Sequence, residues 1–119
     1  MALTKTYASC VAAGTSNGAA LTTTGTTIPL ATAYAAVALI EITNGASAPA
    51  TSCVATLYVS ADDTIFYVGG IVSGGTVPSA VTTGVITIDA PIQYAYVSFT
   101  GNTTNAVTVE AQIAYVTAL

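Results

Sequence analysis

The chain has 119 residues, 53% of them hydrophobic, and sets one lysine against five acids for a net charge of −4 at pH 7, with no histidine, arginine or tryptophan. One lysine cannot neutralise a run of phosphates, which excludes nucleic acid and disfavours anionic membrane surfaces as direct partners. Charged residues make up 5% of the chain, against about 25% in an ordinary soluble protein, so a single domain of common length must cover itself with neutral side chains.

In chain order, residues 1–18 read as an N-terminal arm or a first edge strand, with a strand over 5–12 that contains Cys10. No continuous apolar segment follows Lys5, so no signal peptide is expected and synthesis in a cytoplasm is. Asn17-Gly18 is a turn dipeptide that accepts positive φ. Strands are then expected over 20–28 and 35–43. The Ala-rich stretch 31–40 invites a helix, because alanine has the best helix propensity. The β-branched end Ile40-Glu41-Ile42-Thr43, closed by Asn44-Gly45, decides for a strand.

Over 52–60, Cys53, Ala55, Leu57 and Val59 alternate with Ser52, Val54, Thr56, Tyr58 and Ser60, the period-two pattern of a strand with one apolar face. Ala61-Asp62-Asp63-Thr64 reads as the hairpin connection into a strand at 65–72. Val85-Ile86-Thr87-Ile88 lies in the next strand, 81–89. Over 93–100, Ala95, Val97 and Phe99 alternate with Tyr94, Tyr96, Ser98 and Thr100. Finally, over 106–117, Val107, Val109, Ala111, Ile113 and Tyr115 face one way and Thr108, Glu110 and Gln112 the other. Pro29, Pro49, Pro78 and Pro91 all fall at segment ends, where a missing donor does little harm. About eight strands at this spacing predict an all-β fold, a sandwich or barrel. A single antiparallel β-sandwich, jelly-roll or Ig-like, with a flexible N-terminal arm, is the architecture expected, residues 19–119 forming the sandwich.

The chain offers little to chemistry. Ser and Cys have no histidine to act as general base. A zinc site would have only Cys10 and Cys53 to draw on, and both lie among small apolar residues, where buried free thiols are expected. Asp62-Asp63 invites a Ca²⁺ ligand set but lacks the spaced acidic pattern of a calcium loop. The acids read as turn and solubility residues, the strand tyrosines as core and cross-strand packing. No enzyme activity, metal or cofactor is therefore expected. What remains is the surface: Thr, at 22 positions, with Ser, Ala, Asn, Gln and Tyr, carrying little electrostatic repulsion and suited to burial against other protein.

The stretch Leu57-Tyr58-Val59-Ser60-Ala61-Asp62-Asp63-Thr64-Ile65-Phe66-Tyr67-Val68 resembles a hairpin of the small β-sandwich virion proteins of tailed bacteriophages, built as a strand, an S-x-D-[DG]-T turn and an aromatic strand. Tyr94-Ala95-Tyr96-Val97-Ser98-Phe99-Thr100-Gly101-Asn102, followed by Ala106 to Ala111, is similar to their closing hairpin, with neutral residues where that family usually carries an arginine. The similarity covers residues 52–117. It implies a capsid decoration (cement) protein on the outer surface of a virion, a homo-oligomer (dimer or trimer) whose partner is the major capsid protein, without nucleic acid or membrane contact. The N-terminal segment is then the part expected to order on the shell, with Leu3, Lys5, Tyr7 and Val11 as partner-binding residues. A tail or fibre component and a carbohydrate-binding adhesin module are the alternatives.

Overall fold

Small and β-branched apolar residues at every second position produce nine strands and, among the described residues, no helix. The computed structural model describes residues 2–118; Met1 and Leu119, the outer ends of the expected segments 1–18 and 19–119, lie outside them. The strands are β1 (Leu3–Asn17), β2 (Thr23–Thr24), β3 (Ile28–Pro29), β4 (Ala35–Asn44), β5 (Val54–Ser60), β6 (Tyr67–Ser73), β7 (Val81–Ile88), β8 (Tyr94–Thr100) and β9 (Val107–Ala118). They form one sheet in the order β1-β9-β4-β7 and a second in the order β2-β8-β5-β6, with β3 also paired to β8.

The pairing has a simple logic. β5 pairs with β6, β4 with β7, β2 and β3 with β8, and β1 with β9, every pair antiparallel. Taken with β2 and β3 as one interrupted strand, these are four nested pairs of a single long hairpin. Rolled up, such a hairpin gives two four-stranded layers in jelly-roll order. Of the two expected topologies, the connectivity is therefore the jelly roll.

The nesting explains the core. Ile42, Leu57, Val97, Phe99, Val109 and Ile113 are fully buried between the layers, and their inward positions are those the alternation marked. Each such side chain contributes about 1.5–3 kcal/mol relative to exposure. The stretch 31–40 enters strand β4, whose burial alternates residue by residue along its length.

Three expectations change. Of the arm and the first edge strand expected for residues 1–18, residues 3–17 form the edge strand, bonded to β9 from Leu3↔Ala118 to Asn17↔Val107, so the expected flexible arm is replaced by paired strand. The expected strand at 20–28 is broken into β2 and β3 because the chain dives inward at Gly25. There Gly25 N–H donates to Val97 O at 2.9 Å and Thr26 N–H to Cys10 O at 2.9 Å. A side chain at Gly25 would collide with the Cys10 sulfur. Third, Asn17 and Asn44 close strands with buried side chains instead of supplying positive φ. That conformation falls to Ala20, Asp63, Ser79 and Thr104, together with Gly14, Gly75 and Gly101.

Candidate functional site

Strand β1 alternates, so Leu3 and Tyr7 project from the outer face of the first sheet, 61% and 64% exposed, with the exposed Lys5 between them. Val11 differs. Register shifts on either side of it turn it inward, and at 5% exposure it belongs to the core, where it offers a partner nothing. Of the four residues expected to bind a partner, three share a surface and the fourth supports it.

Lys5 and Tyr7 line a groove of about 460 Å³, with Tyr34, Val37, Asp89 and Val116 among its other walls. The groove exists because small side chains, Ala35 on β4 and Ala114 on β9, floor the sheet between the tyrosines. It places the chain's only lysine and one of its five acids on one depression.

Farther along the same face, Glu41 of β4 stands directly opposite Glu110 of β9. They border a hollow of about 250 Å³ with Leu39, Thr83, Val85 and Gln112. Gln112 Nε2 donates to Glu110 Oε1 at 3.4 Å. Among the described residues, no three His, Cys, Asp or Glu come together as a metal ligand set.

The outer face of the second sheet carries aromatics. Tyr58 and Tyr96, cross-strand partners, stack with centroids 5.1 Å apart, and Phe66 meets Tyr96 edge-on at 5.1 Å. This is the cross-strand packing expected of tyrosines in strands. Tyr67 departs from it and is 66% exposed.

The acidic turn is internally satisfied. Asp62 Oδ1 accepts from the amides of Ile65 and Thr64 at 3.0 and 2.9 Å and from the Ser60 hydroxyl at 3.0 Å. Those bonds, Ile65 first, hold the Asp62 carboxyl below the ordinary carboxylate range. Asp62 thus shapes the hairpin, and Asp63 beside it takes a φ of 61°.

Both cysteines are free and buried. Cys10 Sγ donates to Thr26 O at 3.2 Å and accepts from Val97 N–H at 3.2 Å, joining the two sheets at one corner. Burial pushes the Cys10 thiol above its ordinary pKa and the Cys53 thiol up to about 11. Neither is the exposed thiolate that nucleophilic chemistry requires.

Sequence patterns missed one feature. Tyr67, Val68 and Ile71 on β6, Val77 in the following loop, and Val81 and Val85 on β7 are all exposed, between 59% and 68%. They form the flank where the two sheets end together. Its signal was present as the uncharged run between Asp63 and Asp89.

No family model matches the sequence, and no curated protein matches it. Solved structures do match the fold. The VP2 subviral particle of infectious bursal disease virus aligns over 97% of this chain with a TM-score of 0.61 and 12% identity, over 32% of its own chain. This chain thus spans about a third of the viral capsid chains it matches. A protein of the disulfide-linked pili that form Bacillus endospore appendages aligns over 98% of this chain and 88% of its own, with a TM-score of 0.51 and 8% identity. The K3 cleaved adhesin domain of Lys-gingipain from Porphyromonas gingivalis W83 aligns over 87% and 73%, with a TM-score of 0.58 and 8% identity. At these identities the likeness is one of fold: the chain is a β-sandwich of the kind found in a viral capsid protein, a pilus and an adhesin.

Proposed function

We propose that the chain is a non-enzymatic structural subunit of a virion. It would act as a decoration protein on the outside of a tailed-phage head, bridging neighbouring capsomers of the major capsid protein and associating with its own copies. The observation that carries this is the surface. Eleven large apolar side chains among the described residues are more than half exposed, on a chain with six charged residues in all. A surface so poor in charge and rich in apolar side chains suits a state in which much of it is covered. The jelly-roll order and the likeness in fold to capsid chains support the same assignment.

Its action would be stoichiometric. A subunit that binds the assembled shell and not the free capsomer stabilises the shell by mass action. The outer face of β1, with Leu3, Lys5 and Tyr7 beside the groove, is the surface assigned to the capsid protein. Immunogold electron microscopy of particles from the source lysate, with antibody against the purified protein, tests it. Label spread evenly over heads is expected. Label confined to tails makes the chain a tail or fibre component, and particles without label overturn the virion assignment.

One observation favours a second reading, an adhesin module: the Tyr58–Tyr96–Phe66 cluster lies on an outer sheet face, where aromatic rings can pack against sugar. Glycan-array binding that disappears in Tyr96→Ala would select it.

A further inference from the structure

The four sheet edges are not alike. A strand at an edge presents unpaired N–H and C=O groups to any other strand, and folds blunt such edges with charge, proline, bulges or short length. β1 carries Lys5 and two register shifts between Ser9 and Thr15. β2 and β3 are two residues each, and β3 ends in Pro29. β6 is bulged where its register slips between Leu57 and Tyr58 of β5. β7 has none of these devices. Its eight residues, Val81-Thr82-Thr83-Gly84-Val85-Ile86-Thr87-Ile88, contain no charge and no proline. They run without a register shift along β4 from Ala36↔Ile88 to Thr43↔Val81.

The edge is also held straight from behind. Gly84 leaves room for Val72 and Gly70 leaves room for Ile86, so β6 and β7 interlock across the sandwich without side-chain bulk at two positions. An added Cβ at Gly84 would come within 2.5 Å of Val72 Cγ2, and one at Gly70 within 2.8 Å of Ile86 Cδ1. The flank is thereby closely packed behind the strand, with the open side of β7 along it.

We propose that β7 pairs antiparallel with β7 of a second copy of this chain, continuing the first sheet across a two-fold axis. The inference rests on the assembly reading above and names the surface through which copies associate. Three features select a second copy as the occupant. First, an edge without charge gives a charged partner nothing to steer by, whereas it complements itself. Second, the sequence of β7 fits its own reversal. With Thr83 on the axis, Val81 faces Val85 of the partner subunit, and those two valines are 59% and 68% exposed on the outer face. Apolar cross-strand pairs of this kind stabilise a sheet. Third, the apolar surface continues beside the edge: Val77 and, on β6, Tyr67, Val68 and Ile71 are exposed there, so two copies meeting at β7 set one uncharged flank next to the other.

Sedimentation velocity of the purified chain, set beside Val81→Lys/Val85→Lys and the control Leu21→Lys, tests the pairing. Leu21 is equally exposed, at 61%, and lies away from β7. Loss of the dimer is expected in the double variant alone, with an unchanged circular dichroism spectrum, since both valines point to solvent. Thr83→Cys gives an independent readout, an intermolecular disulfide seen as a dimer on a non-reducing denaturing gel after mild oxidation, because the native cysteines are buried. A chain that sediments as a monomer overturns the pairing even if it labels virion heads, which leaves the shell assignment standing. A dimer that survives the double lysine variant, with no cross-link through Thr83→Cys, places self-association elsewhere and overturns it as well. A cross-linked β7 dimer from a protein that labels no particle supports the pairing and removes the virion.

Discussion

Asn17 and Asn102 lie 85 positions apart and meet side chain to side chain in the interior, Asn17 Nδ2 donating to Asn102 Oδ1 at 2.6 Å. Around this bond both amides are saturated. Asn17 Oδ1 accepts from Thr23 Oγ1 at 2.7 Å and its Nδ2 also reaches Leu21 O. Asn102 Nδ2 donates to the carbonyls of Asn17, Gly18 and Asn105. Asn17 ends β1 in one sheet and Asn102 follows β8 in the other, so the pair ties the two layers where the hydrophobic core runs out.

Truncating Asn102 takes a donor from the buried Asn17 carbonyl and the part-buried Asn105 carbonyl, leaves Gly18 O only its bond from Leu21 N–H, and removes the acceptor of Asn17 Nδ2. A buried group left unsatisfied costs about 1–3 kcal/mol, and neighbouring losses in one network are not independent. Asn102→Ala should therefore lower unfolding stability by about 3 kcal/mol in urea titrations. Asn102→Asp, nearly the same shape, should cost more, because it turns a carboxylate oxygen toward those carbonyls. Equal losses for the two would show that shape, not donation, is what matters. Asn102-Thr103-Thr104 also matches the N-x-[ST] glycosylation pattern, but at 0% exposure the Asn102 amide is out of reach in the folded chain.

The interlock of β6 and β7 makes a second prediction. Replacing glycine in a strand by alanine ordinarily gains about 0.5–1 kcal/mol from reduced backbone freedom. At Gly84 the new Cβ would stand 2.5 Å from Val72 Cγ2, and overpacking of that kind costs about 1–3 kcal/mol. Gly84→Ala should destabilise. Adding Val72→Ala should recover part of the loss, and the non-additivity of this double-mutant cycle is the decisive measurement. Additive losses would mean the contact is relieved by backbone movement.

These two sites show where sequence patterns end. Alternation located the inward residues of β5, β8 and β9, because a period of two fixes which face every side chain takes once the strand exists. Cys53, Ala55 and Leu57, or Val107, Val109 and Ala111, could be assigned from order alone, and the structure buries all six. Asn17, Asn44 and Asn102 could not. In local sequence each is a turn residue, and only the rolling of the hairpin brings carbonyls 30 to 85 positions away to their amides. The interruption at Gly25 has the same origin, since the pull inward comes from Cys10 and Val97 across the sandwich. Val11 was misplaced by the register shifts of β1, which change the face of a side chain without changing the composition around it. For the candidate surface, Leu3, Lys5 and Tyr7 were legible from their alternation. The groove beside them depends on β4 and β9 lying next to β1 and was not.

The buried thiols give a pH dependence with a definite sign. Desolvation disfavours the Cys53 thiolate, raising the folded-state pKa from 9.0 to about 11, with the Thr100 backbone bond pulling partly back. The neutral thiol's contribution to stability is fully present below the unfolded pKa. It is lost as the pH rises from about 9 through about 11. Cys10 shifts the same way, with Val97 as the opposing backbone bond. Unfolding stability should fall over this window, and Cys53→Ala should flatten part of the fall while lowering stability at neutral pH through the cavity it leaves. A thiol reagent should modify neither cysteine in the native state at neutral pH and both in urea.

At the other end of the scale, the Asp62 turn should loosen in acid. The carboxylate accepts from Ile65, Thr64 and Ser60, which depress its pKa. Its contribution is present above the ordinary aspartate pKa and is lost as the pH falls through the depressed one. Hydrogen exchange at the Thr64 and Ile65 amides should accelerate on acidification relative to amides of the core strands. Asp62→Ala should produce the same relative acceleration at neutral pH, while Asp63→Ala, without such bonds, should not.

Glu41 and Glu110 supply the last test. They sit directly opposite on neighbouring strands of a sheet whose outer face has few other charges. Like charges in that position destabilise, and opposite charges there contribute roughly 0.2–1 kcal/mol. Glu110→Lys should therefore raise unfolding stability by up to about 1 kcal/mol. Salt should separate the two chains: screening relieves repulsion in the native protein and weakens attraction in the variant. Native stability should rise with added salt, and the stability difference between the chains should shrink. A variant less stable than the native chain at every salt concentration would mean that the Gln112 contact to Glu110 outweighs the repulsion across the strands.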